Sequence, residues 1–281
     1  MQELPKVSVI TVCYNCHEVI EATLCNVLKQ TYPNLEYIVI DGNSTDGTRE
    51  IIERYAERLA YWVSEPDAGI YEAMNKGINK ATGEWVIFRN AGDYFFKSTT
   101  IADTFAWYKD NGEAVIVGGM RCFCTEAYRD KFYDQQTADV WHRAFIAHPS
   151  AFIRTHVQKA HPYATCYRIA SDYHLFQTLL LEGATIACYP EIVSLFDSEN
   201  GISSTLLALS WKEILAVRKE LGAPQHVLKE TRRRYWNVKR TAFVISILKR
   251  NKRLFALYRR QHQLAGWTMQ PCSITLKDTS N

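Results

Sequence analysis

The sequence predicts an α/β protein in which a mixed, mostly parallel sheet is flanked by helices and followed by a helical C-terminal extension. Between Lys6 and Phe88, four strand-like apolar segments alternate with segments of helical spacing. Two of the apolar segments, VSVITV and EYIVI, are continuous rather than alternating, which is typical of parallel strands covered on both faces. Polar residues follow these segments directly, as they do at the ligand-binding edge of such sheets.

The N-terminal elements follow in a regular order. KVSVITVCYN predicts the first strand, and HEVIEATLCNVLKQ predicts a helix from its apolar pairs three to four residues apart. EYIVI predicts a second strand that ends at Asp41, and a second helix follows with Ser44 or Asp46 as its cap. AYWVSE and GEWVIF predict the third and fourth strands, with the helix GIYEAMNKGINKA between them. This alternation favours parallel pairing of the four strands.

After Asp93 the pattern is less regular. Ser98–Asp110 and SDYHLFQTLLLEG have helical spacing, AVIVGG predicts a strand, MRCFCTEAYRDKFYD predicts a hairpin, and TIACYPEIVSLF predicts one or two strands. Ser204–Leu221 and Pro224–Gln263 predict two further helices. We therefore predict one α/β domain over residues 1–203 and a helical extension over residues 204–281, with the boundary near Ser203.

Composition favours a globular protein. The chain has 281 residues, of which 47% are hydrophobic and 22% charged, so a large core can form. The N-terminal residues lack the pattern of a signal peptide. The longest candidate apolar segment, Thr241–Leu248, has eight residues, far fewer than the roughly 20 needed to span a bilayer. The eight scattered cysteines predict reduced thiols and a cytoplasmic protein.

Positive charge is concentrated in the extension. The net charge is only +3, yet the segment from His226 to His262 holds twelve Lys or Arg residues and one acid, Glu230. Three interpretations are open: a solvated helical surface, a surface for anionic lipid headgroups with Trp236, Phe243 and Phe255 near the interface, or a nucleic-acid surface. The first two are favoured, and the second predicts peripheral contact with the inner face of the cell membrane.

Polar side chains cluster where the predicted strands end. Because the carboxyl ends of parallel strands meet at one edge, these side chains are candidates to bind a nucleotide and a divalent cation. The sequence contains neither G-x-G-x-x-G nor G-x-x-x-x-G-K-[ST], which disfavours dinucleotide dehydrogenases and P-loop enzymes. The candidates are Thr11, Tyr14 and Asn15 after the first strand, Asp41 after the second, Glu65 and Asp67 after the third, and Asn90 and Asp93 after the fourth.

Four segments together resemble a known family. In this order, VSVITVCYN, IVIDGNSTDGT, SEPDAGIYEAMNKGINKATGEW and FRNAGD are similar to the family 2 glycosyltransferases of the GT-A fold, a Rossmann-like nucleotide-binding fold. The resemblance is closest to bacterial members that build cell-surface polysaccharides, and it covers about Pro5 to Phe196. It implies that a hexosyl or N-acetylhexosaminyl group passes from a nucleotide-sugar donor, above all a UDP-sugar, to a hydroxyl of a glycan or lipid-linked acceptor, with inversion at the anomeric carbon.

The resemblance also implies roles for single residues. Thr11 and Tyr14 would line the nucleotide pocket, Asp41 would bind the base or ribose, and Asp67 would hold the nucleoside. The Asn90–Asp93 stretch corresponds to the family's D-x-D region, with Asp93 as the ligand of Mn²⁺ or Mg²⁺. Asp172, in ASDYHLF, matches the acid that serves as catalytic base. Further donor-binding candidates are Asn15, the helical pair Tyr71 and Asn75, and His148.

The sequence leaves several alternatives open. The usual D-A-D-D is here Asn90-Ala91-Gly92-Asp93, and the lost carboxylates leave open a weakly held metal or a non-catalytic nucleotide-sugar-binding protein. A nucleotidyltransferase is less favoured, because VCYNCHEVI lacks a glycine-rich phosphate loop. Cys13 and Cys16 form a C-x-x-C that a redox pair would also show. Asp172 could instead cap its helix, and His148 could be structural.

Overall fold

The computed structural model describes residues 4–124, 127–133, 140–141, 146–198, 206–248 and 258. Strands and helices alternate strictly as far as the fourth strand. The strands are β1 (Val7–Cys13), β2 (Leu35–Asp41), β3 (Tyr61–Ser64), β4 (Trp85–Phe88), β5 (Tyr94–Phe95), β6 (Val115–Phe123), β7 (Tyr128–Lys131), β8 (Ala151–Arg154) and β9 (Ile186–Asp197). The α-helices are α1 (His17–Leu28), α2 (Thr48–Arg54), α3 (Ile70–Lys80), α4 (Thr100–Trp107), α5 (Thr155–Ala160), α6 (Ser171–Leu181), α7 (Leu207–Glu220) and α8 (Gln225–Leu248).

All the strands of the described residues join one mixed sheet. Its order is β3-β2-β1-β4-β8-β6-β9-β5, with β7 paired to β6. β3, β2, β1 and β4 are mutually parallel, as predicted, and β6 and β9 are also parallel. β8 runs antiparallel to both β4 and β6 and so joins the two parallel parts. The expected mixed, mostly parallel sheet is therefore confirmed.

The sheet is covered on both faces, which explains why its first strands are continuously apolar. Every residue of β1 is buried, and its side chains alternate between two core clusters. On one face, Ile10 and Val12 pack with apolar residues of α3 and α6. On the other face, Val7 and Val9 pack with apolar residues of α1 and α4.

The less regular half contains elements that the sequence did not indicate. β5, β8 and α5 were not predicted, whereas β6 and β7 form the expected antiparallel hairpin. The cap of α2 also differs from prediction, because Gly47, with φ of 98°, occupies the N-cap position. Asp46 instead accepts hydrogen bonds from the backbone N–H groups of Thr48 (3.1 Å) and His17 (3.0 Å), and so bridges the starts of α2 and α1.

The extension forms the predicted helices α7 and α8. α7 packs against α6 and α8, and the part of the second predicted helix beyond Leu248 lies almost entirely outside the described residues. Ser203 also lies outside them, so the boundary at residue 203 stays a prediction. No helix in the described ranges is long and apolar enough to cross a membrane.

Candidate active site

The carboxyl ends of β1, β2 and β4 meet at a cleft of about 1140 Å³. Cys13, the last residue of β1, is in register with Asp41, the last residue of β2. After β4, the backbone N–H of Ala91 donates to the carbonyl of Val12 at 3.2 Å. This bond brings the Asn90–Ala91 segment to the same edge, so the parallel half of the sheet builds the floor of the cleft as the strand order predicts.

Four of the predicted site residues line this cleft. They are Tyr14, Asp67, Tyr71 and Asn90. The Tyr14 side chain is 65% exposed, so its ring is free to stack on a planar group such as a nucleobase. Asp67 and Asn90 lie on loops after β3 and β4, so polar residues border the cleft on two sides.

Asp41 lies beneath the cleft rather than in its wall. Its side chain is fully buried, and its carboxylate accepts hydrogen bonds from Ser44 N–H (2.9 Å), Ser44 Oγ (2.5 Å) and Ser64 Oγ (2.6 Å). These bonds fix the loop after β2, whose Gly42 and Asn43 do line the cleft. Asp41 therefore shapes this side of the cleft through the loop, and its direct contact with base or ribose stays a prediction.

The Gly42 backbone and the Asp67 carboxylate pack closely against each other. A Cβ atom at Gly42 would lie 2.7 Å from Asp67 Oδ2 and 3.3 Å from the Tyr14 ring. Asp67 Oδ1 accepts the backbone N–H of Gly69 at 2.9 Å, which fixes the carboxylate at the start of α3. Glycine at position 42 thus permits Asp67 and Tyr14 to approach the same point of the cleft.

Asn15 connects the two loops that border the cleft. Its side-chain Oδ1 accepts the N–H of Thr45 at 2.9 Å, and its own N–H donates to Ser44 Oγ at 2.8 Å. Asn15 adopts φ of 47°, a conformation that asparagine tolerates better than most residues. The structure therefore places Asn15 as a link between the β1–α1 and β2–α2 loops.

The Asn90–Asp93 stretch forms a tight turn at the end of β4. The Asp93 N–H donates to the Asn90 carbonyl at 2.8 Å, and Gly92 has φ of 94°, which favours glycine there. The side-chain Oδ1 of Asn90 is buried without a hydrogen-bond partner among the described residues. Burial raises the pKa of Asp93 to about 7, although Arg89 opposes the shift.

The turn lies over a buried arginine. Arg89 is fully buried, its Nη1 donates to the carbonyls of Phe88 (2.9 Å) and Pro149, and its guanidinium lies 3.7 Å from the Phe95 ring centroid. Burial lowers the pKa of Arg89 to about 9, and Asp93 opposes this shift. The positive charge of Arg89 therefore favours the ionised form of Asp93.

The turn can supply part of a cation site. The described residues contain no group of three or more His, Cys, Asp or Glu that could hold a metal ion. The unpartnered Asn90 Oδ1 and the desolvated Asp93 carboxylate are nevertheless oxygen ligands of the type that Mg²⁺ and Mn²⁺ take. Both residues carry oxygen atoms that suit a divalent cation, and of the two only Asn90 is among the residues that line the cleft.

Asp172 lies behind the opposite wall of the cleft. It is in the first turn of α6, and its Oδ1 accepts the Tyr71 hydroxyl at 3.3 Å and the Tyr173 N–H at 2.8 Å. Tyr71 lines the cleft, and its single hydroxyl proton is shared between Asp172 and the carbonyl of Ile169, which lies closer at 2.5 Å. Burial raises the pKa of Asp172 to about 6, against the opposing effect of these hydrogen bonds. Ala170, not Asp172, occupies the N-cap of α6.

Like Asp41 and Asn15, three further predicted donor-binding residues are not among those that line the cleft. Thr11 is fully buried, with its Oγ1 2.8 Å from the Tyr37 hydroxyl. Asn75 uses its amide oxygen and nitrogen on the backbone N–H and carbonyl of Tyr163, both at 2.9 Å. His148 Nε2 is 2.7 Å from the Tyr163 hydroxyl. Burial, and to a smaller extent the positive charge of Arg89, lowers the pKa of His148 to about 3. His148 is thus a neutral residue of the core.

The far wall of the cleft was not predicted from the sequence. It is formed by the segment from Thr165 to Ile169, just before α6, and by Leu206, just before α7. Asn43, Cys13 and Cys16 are also among the residues that line the cleft. The only sequence signal for any of these was the C-x-x-C, because the others are brought to the site by packing between distant segments.

Comparison with known proteins agrees with this geometry. Residues 8–176 match the family model described as Glycosyl transferase family 2. The chain belongs to this family. A PGL/p-HBAD biosynthesis glycosyltransferase of Mycobacterium bovis is 26% identical over 233 residues, which cover 78% of this chain and 87% of that protein. The putative teichuronic acid biosynthesis glycosyltransferase TuaG of Bacillus subtilis is 41% identical over 96 residues, or 33% of this chain and 38% of TuaG.

Solved structures share the fold of this family member. TarS 1–349 of S. aureus, solved in complex with UDP-GlcNAc, superposes with a TM-score of 0.66 at 19% identity over 89% of this chain and 78% of that chain. The mannosyltransferase PcManGT of Pyrobaculum calidifontis, solved with GDP-Man and Mn²⁺, gives 0.64 at 20% identity over 95% and 82%. The predicted GT-A fold is therefore confirmed.

Proposed function

We propose that this chain transfers a hexosyl or N-acetylhexosaminyl group from a nucleotide-sugar donor, first of all a UDP-sugar, to a hydroxyl of a glycan or lipid-linked acceptor in surface-polysaccharide synthesis, with inversion. The observation that carries the proposal is a cleft at the carboxyl edge of the parallel strands with a buried acid, Asp172, directly behind its wall. TarS binds UDP-GlcNAc on the same fold, and the relatives that match over most of this chain are biosynthetic glycosyltransferases.

The donor nucleoside occupies the side of the cleft formed by the loops after β1, β2 and β3. Tyr14 offers an exposed ring for the base, and the Asp67 carboxylate accepts hydroxyl or N–H groups. Asp41 and Asn15 contribute by holding these loops in place through hydrogen bonds. Thr11, Asn75 and His148 support the cleft from the core and do not bind the donor directly, because their polar atoms already form hydrogen bonds within the protein.

The diphosphate lies against the Asn90–Asp93 turn. Asn90 Oδ1 and the Asp93 carboxylate would hold a divalent cation there, and such a cation offsets the charge that develops on the leaving diphosphate. The mannosyltransferase on the same fold was solved with Mn²⁺. Arg89 supports this region from below, because its buried charge stabilises the ionised carboxylate of Asp93.

Asp172 accepts the proton of the attacking acceptor hydroxyl. A base with a pKa of about 6 is mostly ionised at neutral pH and still takes a proton readily. The Tyr71 hydroxyl and the Tyr173 N–H fix its Oδ1, which leaves Oδ2 for the acceptor. A single displacement from the face opposite the diphosphate gives inversion at the anomeric carbon.

The test combines binding with transfer. A thermal-shift screen of UDP- and GDP-sugars, with and without Mn²⁺, measures binding, because a ligand of the folded state raises the melting temperature. Positive donors are then assayed for nucleotide release with and without a glycan acceptor. A specific donor shift and acceptor-dependent release support the proposal. Binding without release favours the non-catalytic nucleotide-sugar-binding protein, and no shift with any donor contradicts both.

We extend the proposal to the surface of α8, which contacts an anionic membrane. Arg232, Trp236, Lys239 and Phe243 are spaced to share one helical face, and all four are exposed. Trp236 and Phe243 are 53% and 68% exposed, and Lys239 Nζ lies 5.2 Å from the Trp236 ring centroid. Cations interleaved with aromatic side chains suit the headgroup region of an anionic bilayer. A lipid-linked acceptor would be reached from this position, on the cytoplasmic side that the scattered thiols predict.

A further inference from the structure

Glu213, on α7, binds the backbone that leads into the helix of Asp172. Its Oε1 accepts the N–H of Arg168 at 3.0 Å, and its Oε2 accepts the N–H groups of Ile169 and Ala170 at 2.8 and 3.0 Å. Three consecutive backbone donors therefore share one carboxylate. Such an arrangement satisfies N–H groups that would otherwise lack partners at the start of α6, and it is stronger than neutral capping because the acceptor is ionised.

The segment that Glu213 holds is also part of the active site. Arg168 and Ile169 line the cleft, and the Ile169 carbonyl accepts the hydroxyl of Tyr71. The single proton of that hydroxyl is shared with Asp172, whose Oδ1 lies 3.3 Å from it, and Asp172 lies two residues beyond Ala170. A shift of this backbone would therefore move the cleft wall, the Tyr71 hydrogen bond and the Asp172 carboxylate together.

Glu213 also acts on Asp172 through its charge. Three of the described titratable side chains interact with Asp172: Tyr71 from α3, Tyr163 from the loop before α6 and Glu213 from α7. The tyrosines are neutral near pH 7, so Glu213 contributes the negative charge among them. This charge adds to burial in raising the pKa of Asp172.

We propose that Glu213 is a positioning residue for sugar transfer, which holds residues 168–170 and thereby fixes the location of Asp172 from a helix outside the family-matched region. The matched residues end at 176, so the role belongs to the C-terminal part of this chain. The proposal rests on the proposed function for its kinetic consequence. The clamp, meaning the hydrogen bonds from the N–H groups of residues 168–170 to the Glu213 carboxylate, does not depend on that function.

Two substitutions separate charge from geometry. Glu213→Gln removes the charge and places an amide NH₂ against a backbone donor, whereas Glu213→Asp keeps the charge on a side chain one methylene shorter. Glu182→Gln is the control, since Glu182 follows the last residue of α6 and its Oε2 is 2.9 Å from His161 Nε2 at the surface. Circular dichroism and the melting temperature establish that each variant is folded.

The first readout is hydrogen exchange of the amides of residues 168–170. We expect faster exchange in Glu213→Gln and unchanged exchange in Glu182→Gln, because local opening is easier without the carboxylate. This measurement needs no donor or acceptor. Unchanged exchange in Glu213→Gln would overturn the clamp, whether or not the wild-type protein transfers a sugar.

The second readout is the pH profile of kcat. In Glu213→Gln we expect kcat to fall by roughly 10- to 100-fold, the donor KM to stay nearly unchanged, and the acidic limb to move to lower pH. In Glu213→Asp the limb stays near its wild-type position while kcat falls. A merely structural role would lower the active fraction without moving the limb, so an unmoved limb in folded Glu213→Gln would overturn the action on Asp172. An inactive wild-type protein would instead contradict the proposed function.

Discussion

Asp172 has two properties that a general base needs, an elevated pKa and an oriented carboxylate. Burial supplies the first, since it raises the pKa to about 6. Tyr71 and the Tyr173 N–H supply the second by binding the same oxygen, Oδ1. Because these partners come from α3 and α6, the carboxylate is held by two elements of the scaffold rather than by a loop alone.

Replacement of Asp172 by Asn should remove the proton acceptor while it keeps the shape of the site. We expect kcat to fall by about 10²- to 10⁴-fold, with donor affinity by calorimetry little changed. In the wild-type enzyme kcat should fall as pH drops below about 6, because Asp172 then binds a proton and cannot accept another. Asp103→Asn, a matched change on the exposed surface of α4, should leave both unaltered. Wild-type activity in Asp172→Asn would assign the base elsewhere.

Replacement of Gly42 by Ala should act through Asp67. The added Cβ would lie 2.7 Å from Asp67 Oδ2, so the carboxylate or the loop must move. We expect the donor Kd to rise about tenfold, or about 1.4 kcal/mol. A double-mutant cycle checks the route: in an Asp67→Ala background, Gly42→Ala should have much less effect. Fully additive effects would show that Gly42 acts independently of Asp67.

Replacement of Asn90 by Asp should tighten cation binding. The change adds a carboxylate to a position where Asn90 Oδ1 has no partner, next to Asp93 in the same turn. With donor present, we expect half-maximal activity at about tenfold lower Mn²⁺ concentration, because hard cations prefer charged oxygen ligands. Asp93→Asn should shift the Mn²⁺ requirement in the opposite direction. Activity of both variants that is insensitive to Mn²⁺ and to chelator would contradict the proposed cation site.

Sequence patterns could identify the acids and amides near the cleft. They could not show which of these side chains face the cleft and which bind only other protein groups. Asp41 and Asn75 occupy the expected strand end and helix face, yet their polar atoms bind neighbouring protein groups. Whether a polar group is already satisfied depends on partners distant in the chain, such as Tyr163 for Asn75. Glu213 had no sequence signal at all, because its partners lie more than 40 residues earlier.

Whether a strand could be predicted from the sequence depends on its burial and its length. β1, β2 and β4 were predicted because both-face burial produces continuous apolar segments with polar ends, whereas β3, at the sheet edge, is only half-buried and was predicted from a short apolar segment. β5 was not, since it has only two residues, and β8 was not, since its four residues follow a loop containing His148 and Pro149. These short strands gain their hydrogen bonds from β9, β4 and β6, so their own sequences carry little information.

The opposite edge of the sheet is held by a polar network that should control stability. Glu36, at the start of β2, accepts hydrogen bonds from Lys6 (2.8 Å), Ser8 (2.5 Å) and Thr82 (2.6 Å). Burial raises the pKa of Glu36, but these bonds outweigh it and lower the pKa to about 2. The network thus joins β1, β2 and the loop before β4 at the amino ends of the strands.

We expect Glu36→Gln to lower the free energy of unfolding at pH 7 by about 1–3 kcal/mol. Because the folded-state pKa lies below the unfolded value of 4.5, the contribution is full above about pH 4.5 and is lost as pH falls toward 2. Urea unfolding should therefore show a smaller difference between the two proteins at pH 3 than at pH 7. Glu53→Gln, which removes an exposed i,i+4 pair with Arg49, should cost less than about 0.5 kcal/mol. Equal costs at both pH values would contradict the pKa argument.

In the molecule as a whole, α7 is bound both to α6 and to α8. Arg218 donates to the Tyr173 hydroxyl (2.8 Å), to Thr231 Oγ1 (2.6 Å) and to the Trp141 carbonyl (2.7 Å), so it ties α6, α7 and α8 together. Leu206 lines the cleft. The boundary near residue 203 stays a prediction, and neither the helical pattern nor the charge of α7 reveals its contacts with α6.

Since α7 joins α8 to the catalytic part, attachment of α8 to a membrane would orient the cleft relative to the bilayer. We expect the intact protein to co-sediment with vesicles that contain anionic lipid and not with neutral vesicles. Binding should weaken with salt, since each basic residue near the surface contributes about 1 kcal/mol through a screened interaction. Trp236→Ala and a joint Arg232→Gln and Lys239→Gln variant should each reduce binding several-fold through loss of interfacial burial and charge.

Trp107→Ala is the matched control for this membrane prediction, because Trp107 is 40% exposed on α4, in the catalytic part rather than on α8. It should sediment with anionic vesicles like the wild-type protein. Release of the nucleotide from the donor in solution should occur at the same rate in the wild-type protein and in all these variants. None of the substituted side chains is among the residues that line the cleft. Wild-type protein that stays in the supernatant with anionic vesicles at low salt would identify the basic, aromatic face of α8 as a solvated surface.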